Sequence, residues 1–109
     1  MAKEKQAVEN EIVLDFFNSA MYELAHNGCK AFKRLRYCSA TVYETDNYYI
    51  LKSYYTFIAC IHKSTNICYD ALRHEYGYTS TSAQHISKFW HDYCMRGYSD
   101  YPVMRYRDI

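Results

Sequence analysis

The sequence has few residues that break regular structure, with three Gly and one Pro in 109 residues. Half of its residues are hydrophobic, which is more than a disordered chain contains. Such a composition excludes a flexible linker or a disordered tail and favours a compact fold. At this length we expect residues 1–109 to form a single domain around one core.

Long apolar runs are absent as well. No run approaches the roughly 18 residues that a membrane-spanning helix needs, and the first ten residues, MAKEKQAVEN, contain no apolar segment typical of a signal peptide. We therefore expect a cytoplasmic protein without a membrane partner. In that compartment the five Cys are expected to be thiols or metal ligands before disulfides.

The chain has little net charge, because 13 Lys and Arg balance 12 Asp and Glu to leave +1. This value excludes a polyanionic DNA mimic and a strongly basic nucleic-acid binder. Tyrosine is abundant, with 14 residues against five Phe and one Trp. Tyrosine is common on recognition surfaces and also on half-buried strands, so both roles remain open, and we expect the strands to hold the majority.

Two segments have helical periodicity. Apolar residues at four-residue steps from Val8 to Leu24 predict a helix over residues 4–26, and Gly28 is suited to end it. The letters TSAQ (81–84) predict a capping box with Thr81 at the start of a second helix. Gly97 is a plausible end for this helix, and His85 is expected on its outer, solvated face.

The segment between the helices has strand patterns. Residues 38–44 and 67–73 each predict a strand, whereas residues 48–62 predict either one bent strand or a hairpin. Residues 29–37 are ambiguous between a short helix and a strand. We therefore predict an α+β fold with an N-terminal helix, an antiparallel meander of three to four strands and a C-terminal helix, followed by an irregular tail at 102–109.

Two His-x-x-Cys pairs, HNGC and HDYC, raise the possibility of a structural zinc site. Zinc takes four N or S ligands, and His26, Cys29, His91 and Cys94 would form a Cys₂His₂ set, with Cys38 as a substitute ligand. In the alternative interpretation, Gly28 caps a helix and the Cys residues are small buried hydrophobes.

The basic cluster at residues 30–36 has aromatic neighbours in the letters KAFKRLRY. Cations with interleaved aromatics are suited to single-stranded nucleic acid, although a solvated basic face gives the same pattern. Catalysis has less support, because the sequence contains no glycine-rich phosphate loop, no G-x-S-x-G and no H-E-x-x-H motif. We therefore expect a protein that is not an enzyme.

The run from Leu51 to Tyr93 resembles small proteins of bacteriophages and mobile elements of Gram-positive bacteria, grouped as a domain of unknown function. Two motifs carry the resemblance, and the helical one contains Thr79, Thr81, Ser82, His85, Ile86 and Phe89. The motif that precedes it contains Leu51, Ser53, Tyr54, Thr56, Ile58 and Ala59.

The resemblance implies a phage-type inhibitor that acts in the cytoplasm of a bacterial host. Such a protein looks like an anti-CRISPR protein, which would bind a type II RNA-guided effector nuclease and block the loading of nucleic acid. Tyr and Arg are common anchors in protein interfaces, and an acidic helix face complements a basic channel. The residues expected to bind the partner are Glu4, Glu9, Glu11, Asp15, Tyr98, Tyr101, Arg105 and Tyr106. The alternative is a small nucleic-acid-binding accessory protein that uses residues 30–36.

Overall fold

The computed structural model describes residues 2–94 and 102–109. Nine helices and strands lie in these residues. In chain order they are α1 (Ala2–Asn27), β1 (Ala31–Arg34), β2 (Ala40–Glu44), β3 (Tyr48–Ser53), β4 (Thr56–His62), β5 (Ile67–Asp70), α2 (Leu72–Glu75), α3 (Ser80–Tyr93) and β6 (Val103–Arg105). The predicted α+β class and the long N-terminal helix are confirmed.

Helix α1 follows the predicted apolar stripe. Val13, Phe17 and Ala20 are buried on the side that faces the sheet. The helix ends where the sequence indicates, because Gly28 has a φ of 74° and its N–H donates to the Leu24 carbonyl at 3.0 Å. This left-handed conformation is open to glycine without a Cβ clash.

Within the described residues the sheet contains six strands in the order β1-β2-β3-β4-β5-β6. The prediction of three to four strands is therefore matched only in part: β2 to β5 correspond to the predicted meander, and β1 and β6 are additional. Neighbouring strands from β1 to β5 pair antiparallel. The ambiguous segment 29–37 contributes β1, and 48–62 forms the β3–β4 hairpin. Tyr54 makes this tight turn with a φ of 54°, and the register shifts between Leu51 and Lys52.

The segment 102–109, which was predicted to be irregular, contains β6. This strand pairs parallel with β5 and makes the last helix an internal element instead of a C-terminal one. Asn10 of α1 fixes the segment from the other side: its Nδ2 donates to the Arg107 carbonyl at 2.8 Å, and its Oδ1 accepts from the Arg107 N–H at 3.0 Å. The segment 102–109 therefore has backbone partners on β5 and a side-chain partner on α1.

The segment 67–73 ends its strand earlier than predicted. Strand β5 stops at Asp70, whose side chain accepts from the Leu72 N–H at 3.0 Å, and α2 follows. Helix α3 begins before the predicted Thr81, because Thr79 is its cap and accepts from the Ser82 N–H at 3.2 Å. The predicted helix end at Gly97 lies outside the described residues.

The helices lie on opposite faces of the sheet. Side chains alternate between the faces of a strand, so on β3 Tyr48 and Ile50 pack with α1, whereas Leu51 packs with Ile86 and Phe89 of α3. Two hydrophobic clusters result, one on each face. In residues 2–94 and 102–109, no helix is both long and apolar enough to cross a membrane.

Candidate functional site

The two His-x-x-Cys pairs lie at the ends of different helices. His26 is exposed on the last turn of α1, stacks on Tyr22 with ring centroids 3.8 Å apart, and donates from Nδ1 to the Tyr22 carbonyl. Cys29 is exposed after the helix, whereas Cys94 is buried at the end of α3 beside the exposed His91.

The structure does not bring these pairs together, because α1 and α3 pack on opposite faces of the sheet. The sequence spacing gave no information on which face each helix would cover. Within the described part of the chain, which includes all four residues, no group of three or more His, Cys, Asp or Glu is placed to hold a metal ion. The substitute ligand Cys38 instead directs its Sγ at the Leu35 carbonyl, 2.9 Å away.

The acidic residues predicted to bind a partner lie along α1. Glu4, Glu11 and Asp15 are exposed, and Glu9 is half-buried. Positions 4, 11 and 15 share one side of a helix, so the structure gathers three of the four on the solvent side of α1.

The predicted partner residues of the tail divide into two groups. Tyr98 and Tyr101 lie outside the described residues. Arg105 is exposed on β6 with its Nε 3.4 Å from the Asp70 carboxylate, and the Tyr106 ring lies 5.0 Å from His74. Burial raises the pKa of the Asp70 carboxyl, against the lowering effect of the Leu72 N–H and Arg105. Arg105 therefore compensates a buried carboxylate, which reduces its availability to a partner.

One region of the sheet lies outside the footprint of α1. The helix packs against β3, β4, β5 and β6, and β1 is exposed along its whole length. Cross-strand partners share a face, so the pairing register identifies which side chains lie on this uncovered area. We call it the open sheet surface, and it consists of Phe32, Arg34, Thr41, Tyr43, Lys52 and Phe57.

Three aromatic rings form a continuous row on the open sheet surface. Ring centroids are 5.9 Å apart between Phe32 and Tyr43 and 5.3 Å apart between Tyr43 and Phe57. Phe32 is 69% exposed, which is unusual for a large apolar side chain on a strand. The row therefore runs from one exposed ring at the sheet edge to two half-buried rings, Tyr43 and Phe57, which pack against the hydrophobic cluster beneath α1.

Two cations lie on the same surface. The Lys52 Nζ lies 5.3 Å from the centre of the Phe57 ring, and the Arg34 Nε donates to the Cys38 carbonyl at 3.0 Å. Neither residue takes part in an ion pair with any carboxylate of residues 2–94 and 102–109. These charges are available to an anionic ligand.

The turns at one end of the sheet add further exposed aromatics. Tyr37 in the β1–β2 turn and Tyr55 in the β3–β4 turn are almost fully exposed. The Tyr54 N–H donates to the Ser39 carbonyl at 2.8 Å and joins the two turns. A shallow groove runs along this end and is lined by Phe32, Arg34, Cys38, Ser39, Ala40, Thr41, Tyr54 and Tyr55.

A buried polar cluster lies on the opposite face, below the β3–β4 turn. The Ser53 Oγ is 2.7 Å from the His85 Nδ1 and 3.1 Å from the Ser82 Oγ. The prediction of a solvated His85 is wrong, because this side chain is only 3% exposed. Burial and then the nearby Lys88 lower its pKa, so the neutral imidazole is favoured.

The sequence contained a partial signal for the buried polar cluster and for the open sheet surface. The two motifs described above include Ser53, Ser82 and His85, and the structure joins them in one cluster. Phe32 and Arg34 lie within the basic cluster at residues 30–36. Tyr43, Lys52 and Phe57 were not singled out, because only the strand register brings them beside β1.

The comparisons with known proteins give no match with any protein-family model, any curated protein or any solved structure.

Proposed function

We propose that this protein acts by binding single-stranded nucleic acid on the open sheet surface, without catalysing a reaction. The observation that supports the proposal is the row of rings from Phe32 to Phe57 beside the cations Arg34 and Lys52. Aromatic faces stack with bases of any sequence, and adjacent cations contact the phosphates. The proposal places the basic cluster at residues 30–36 at the edge of the binding surface.

The distribution of charge makes this function compatible with a net charge of +1. The exposed acidic residues Glu4, Glu11 and Asp15 lie on the outer side of α1, away from the open sheet surface. Nearer to β1, Asp92 accepts from Arg36 at 2.7 and 2.9 Å and Asp46 pairs with Lys30. A strand on the open sheet surface would therefore meet local positive charge in a chain that is nearly neutral overall.

The test is binding of a fluorescent single-stranded oligonucleotide, followed by anisotropy as a function of salt. Phe32→Ala is expected to weaken binding by about 1–3 kcal/mol, which corresponds to roughly 5- to 150-fold in Kd. Arg34→Ala is expected to weaken binding and to reduce the slope of log K against log salt by about 0.7, the value for one phosphate contact of a single strand.

Tyr22→Ala is the matched control. Tyr22 is 66% exposed, nearly the same as Phe32, but it lies on α1. Its removal should leave oligonucleotide affinity unchanged. Failure of the unmodified protein to bind oligonucleotides at low salt would refute the proposal, as would binding that is indifferent to both Phe32→Ala and Arg34→Ala.

The second candidate is the phage-type inhibitor of a type II RNA-guided effector nuclease, acting in the cytoplasm of a bacterial host. The exposed acidic side of α1 favours it, because Glu4, Glu11 and Asp15 lie there together with the exposed apolar Val8 and Tyr22. An acidic and partly apolar helix face complements a positively charged nucleic-acid channel.

Co-elution with a purified effector nuclease tests the second candidate. The double variant Glu11→Lys and Asp15→Lys should abolish a complex formed through α1, whereas Phe32→Ala should leave it intact. Phe32→Ala is therefore a test variant for the first candidate and a control for the second. Absence of any complex at low salt rules out the inhibitor.

A further inference from the structure

A small pocket lies beside the groove at the end of the sheet, where α3 begins. Its volume is about 150 Å³, and its lining includes Tyr54, Tyr55, Tyr76, Thr56, Ser53 and Ser82. Tyr54 and Tyr55 line both the pocket and the groove that contains Phe32 and Arg34. Tyr54 and Tyr55 therefore lie between the pocket, on the α3 face, and the groove that borders the open sheet surface.

The serine hydroxyls are held in place from behind. Ser53 and Ser82 contact each other at 3.1 Å, and His85 fixes Ser53 at 2.7 Å. Each hydroxyl has one donor and two acceptor positions. The two contacts use two of the three hydrogen-bonding positions of the Ser53 hydroxyl and one of those of the Ser82 hydroxyl. Counting the contacts among the described residues, each hydroxyl can therefore make a further hydrogen bond to a ligand. All three side chains are buried, which fixes their positions.

The size and lining of the pocket limit what it can accept. An apolar cavity of about 150 Å³ holds a single six-membered aromatic ring. Tyrosine walls stack on a planar ring, and hydroxyl groups bind its polar edge, which is how proteins recognise an unstacked base. A pyrimidine, which has a single ring with a polar edge, meets both requirements.

We propose that the pocket takes one pyrimidine base of the strand that lies on the open sheet surface. Tyr54, Tyr55 and Tyr76 flank the ring, and Ser53 and Ser82 bind its polar edge. This inference rests on the proposed function and adds a base preference to it. The pocket supplies selectivity, while the open sheet surface supplies most of the affinity.

The experiment compares Kd for dT, dC and dA oligonucleotides of equal length at one salt concentration. The expected result is a preference of about 5-fold or more for dT and dC over dA, the effect of one well-placed base contact. Tyr76→Ala should reduce this preference to near one, and Ser82→Ala should weaken it.

Tyr78→Ala is the matched control, because Tyr78 is 57% exposed against 64% for Tyr76 but does not line the pocket. Tyr76 is exposed, so the test holds even where the buried Ser82→Ala variant does not fold. Equal affinity for dT, dC and dA, or a preference that persists in Tyr76→Ala, overturns the pocket inference and leaves the proposed function standing. If the unmodified protein binds no oligonucleotide, both the pocket inference and the proposed function are overturned.

Discussion

Acidification should destabilise this protein through His85. Its imidazole is buried against Ser53, and burial and Lys88 lower its pKa from the ordinary 6.5. The unfolded chain therefore binds a proton at a higher pH than the folded chain. Because stability rises with pH wherever the unfolded state binds more protons, the free energy of unfolding should decrease as the pH falls below about 6.5.

The size of the effect is bounded by linkage. One proton bound by the unfolded state alone changes the free energy of unfolding by at most about 1.4 kcal/mol per pH unit. From pH 6.5 to pH 5 the loss is therefore at most about 2 kcal/mol, an appreciable fraction of the stability of a small domain. The groups that face His85 act in the same direction, because Lys88 lowers its pKa and Tyr54 presents an uncharged ring at 5.7 Å.

Urea unfolding at a series of pH values measures this directly. His85→Asn keeps a polar group near the position of Nδ1 and removes the titration, so its stability should depend less on pH than that of the unmodified protein. Asp70, whose carboxyl pKa is raised by burial, contributes with the opposite sign but equally in both proteins.

The exposed His26→Asn variant is the control and should retain the original pH dependence. Equal pH slopes in the unmodified protein and His85→Asn would refute the reasoning.

Two further predictions concern the core. Ile50→Ala should lower the free energy of unfolding by about 2–5 kcal/mol, because Ile50 is fully buried beneath α1. Val8→Ala, on the exposed side of α1, should change it by less than about 1 kcal/mol. Denaturant midpoints will distinguish the two variants, and equal losses of stability would contradict the packing. In the folded protein a thiol reagent should modify the exposed Cys29 quickly but spare Cys60 and Cys68 until denaturant is added, since burial raises the pKa of both buried thiols. Rapid labelling of Cys60 without denaturant would contradict this.

Local sequence patterns predicted those elements whose signals are local. The apolar spacing and Gly28 define α1, because both the buried stripe and the left-handed turn depend only on neighbouring residues. Strand β1 was ambiguous because all four of its residues are exposed, which removes the alternation that marks a half-buried strand. Strand β6 was missed because three residues are too few to establish any period.

The candidate sites depended on long-range geometry that the sequence does not contain. His91 and Cys94 have a spacing suited to a metal pair, but the fold places them across the sheet from His26. Helical periodicity alone places His85 on the outer face of α3, because it contains no information about the contact that Ser53 of β3 makes with this side chain. Polar residues that satisfy one another in the interior cannot be distinguished from solvated ones by polarity alone.

Strand β6 has a consequence for how the protein is made on the ribosome. The Cys68 N–H donates to the Pro102 carbonyl, and the Asp70 carbonyl accepts from the Tyr106 N–H, so residues 102–106 complete the edge of β5. While the chain is being translated, β5 can pair with β4 long before that segment leaves the exit tunnel. Until then β5 presents an unpaired edge, which is a template for association with other nascent chains. Residues 102–106, which are synthesised after β5, therefore protect this edge of the sheet against aggregation.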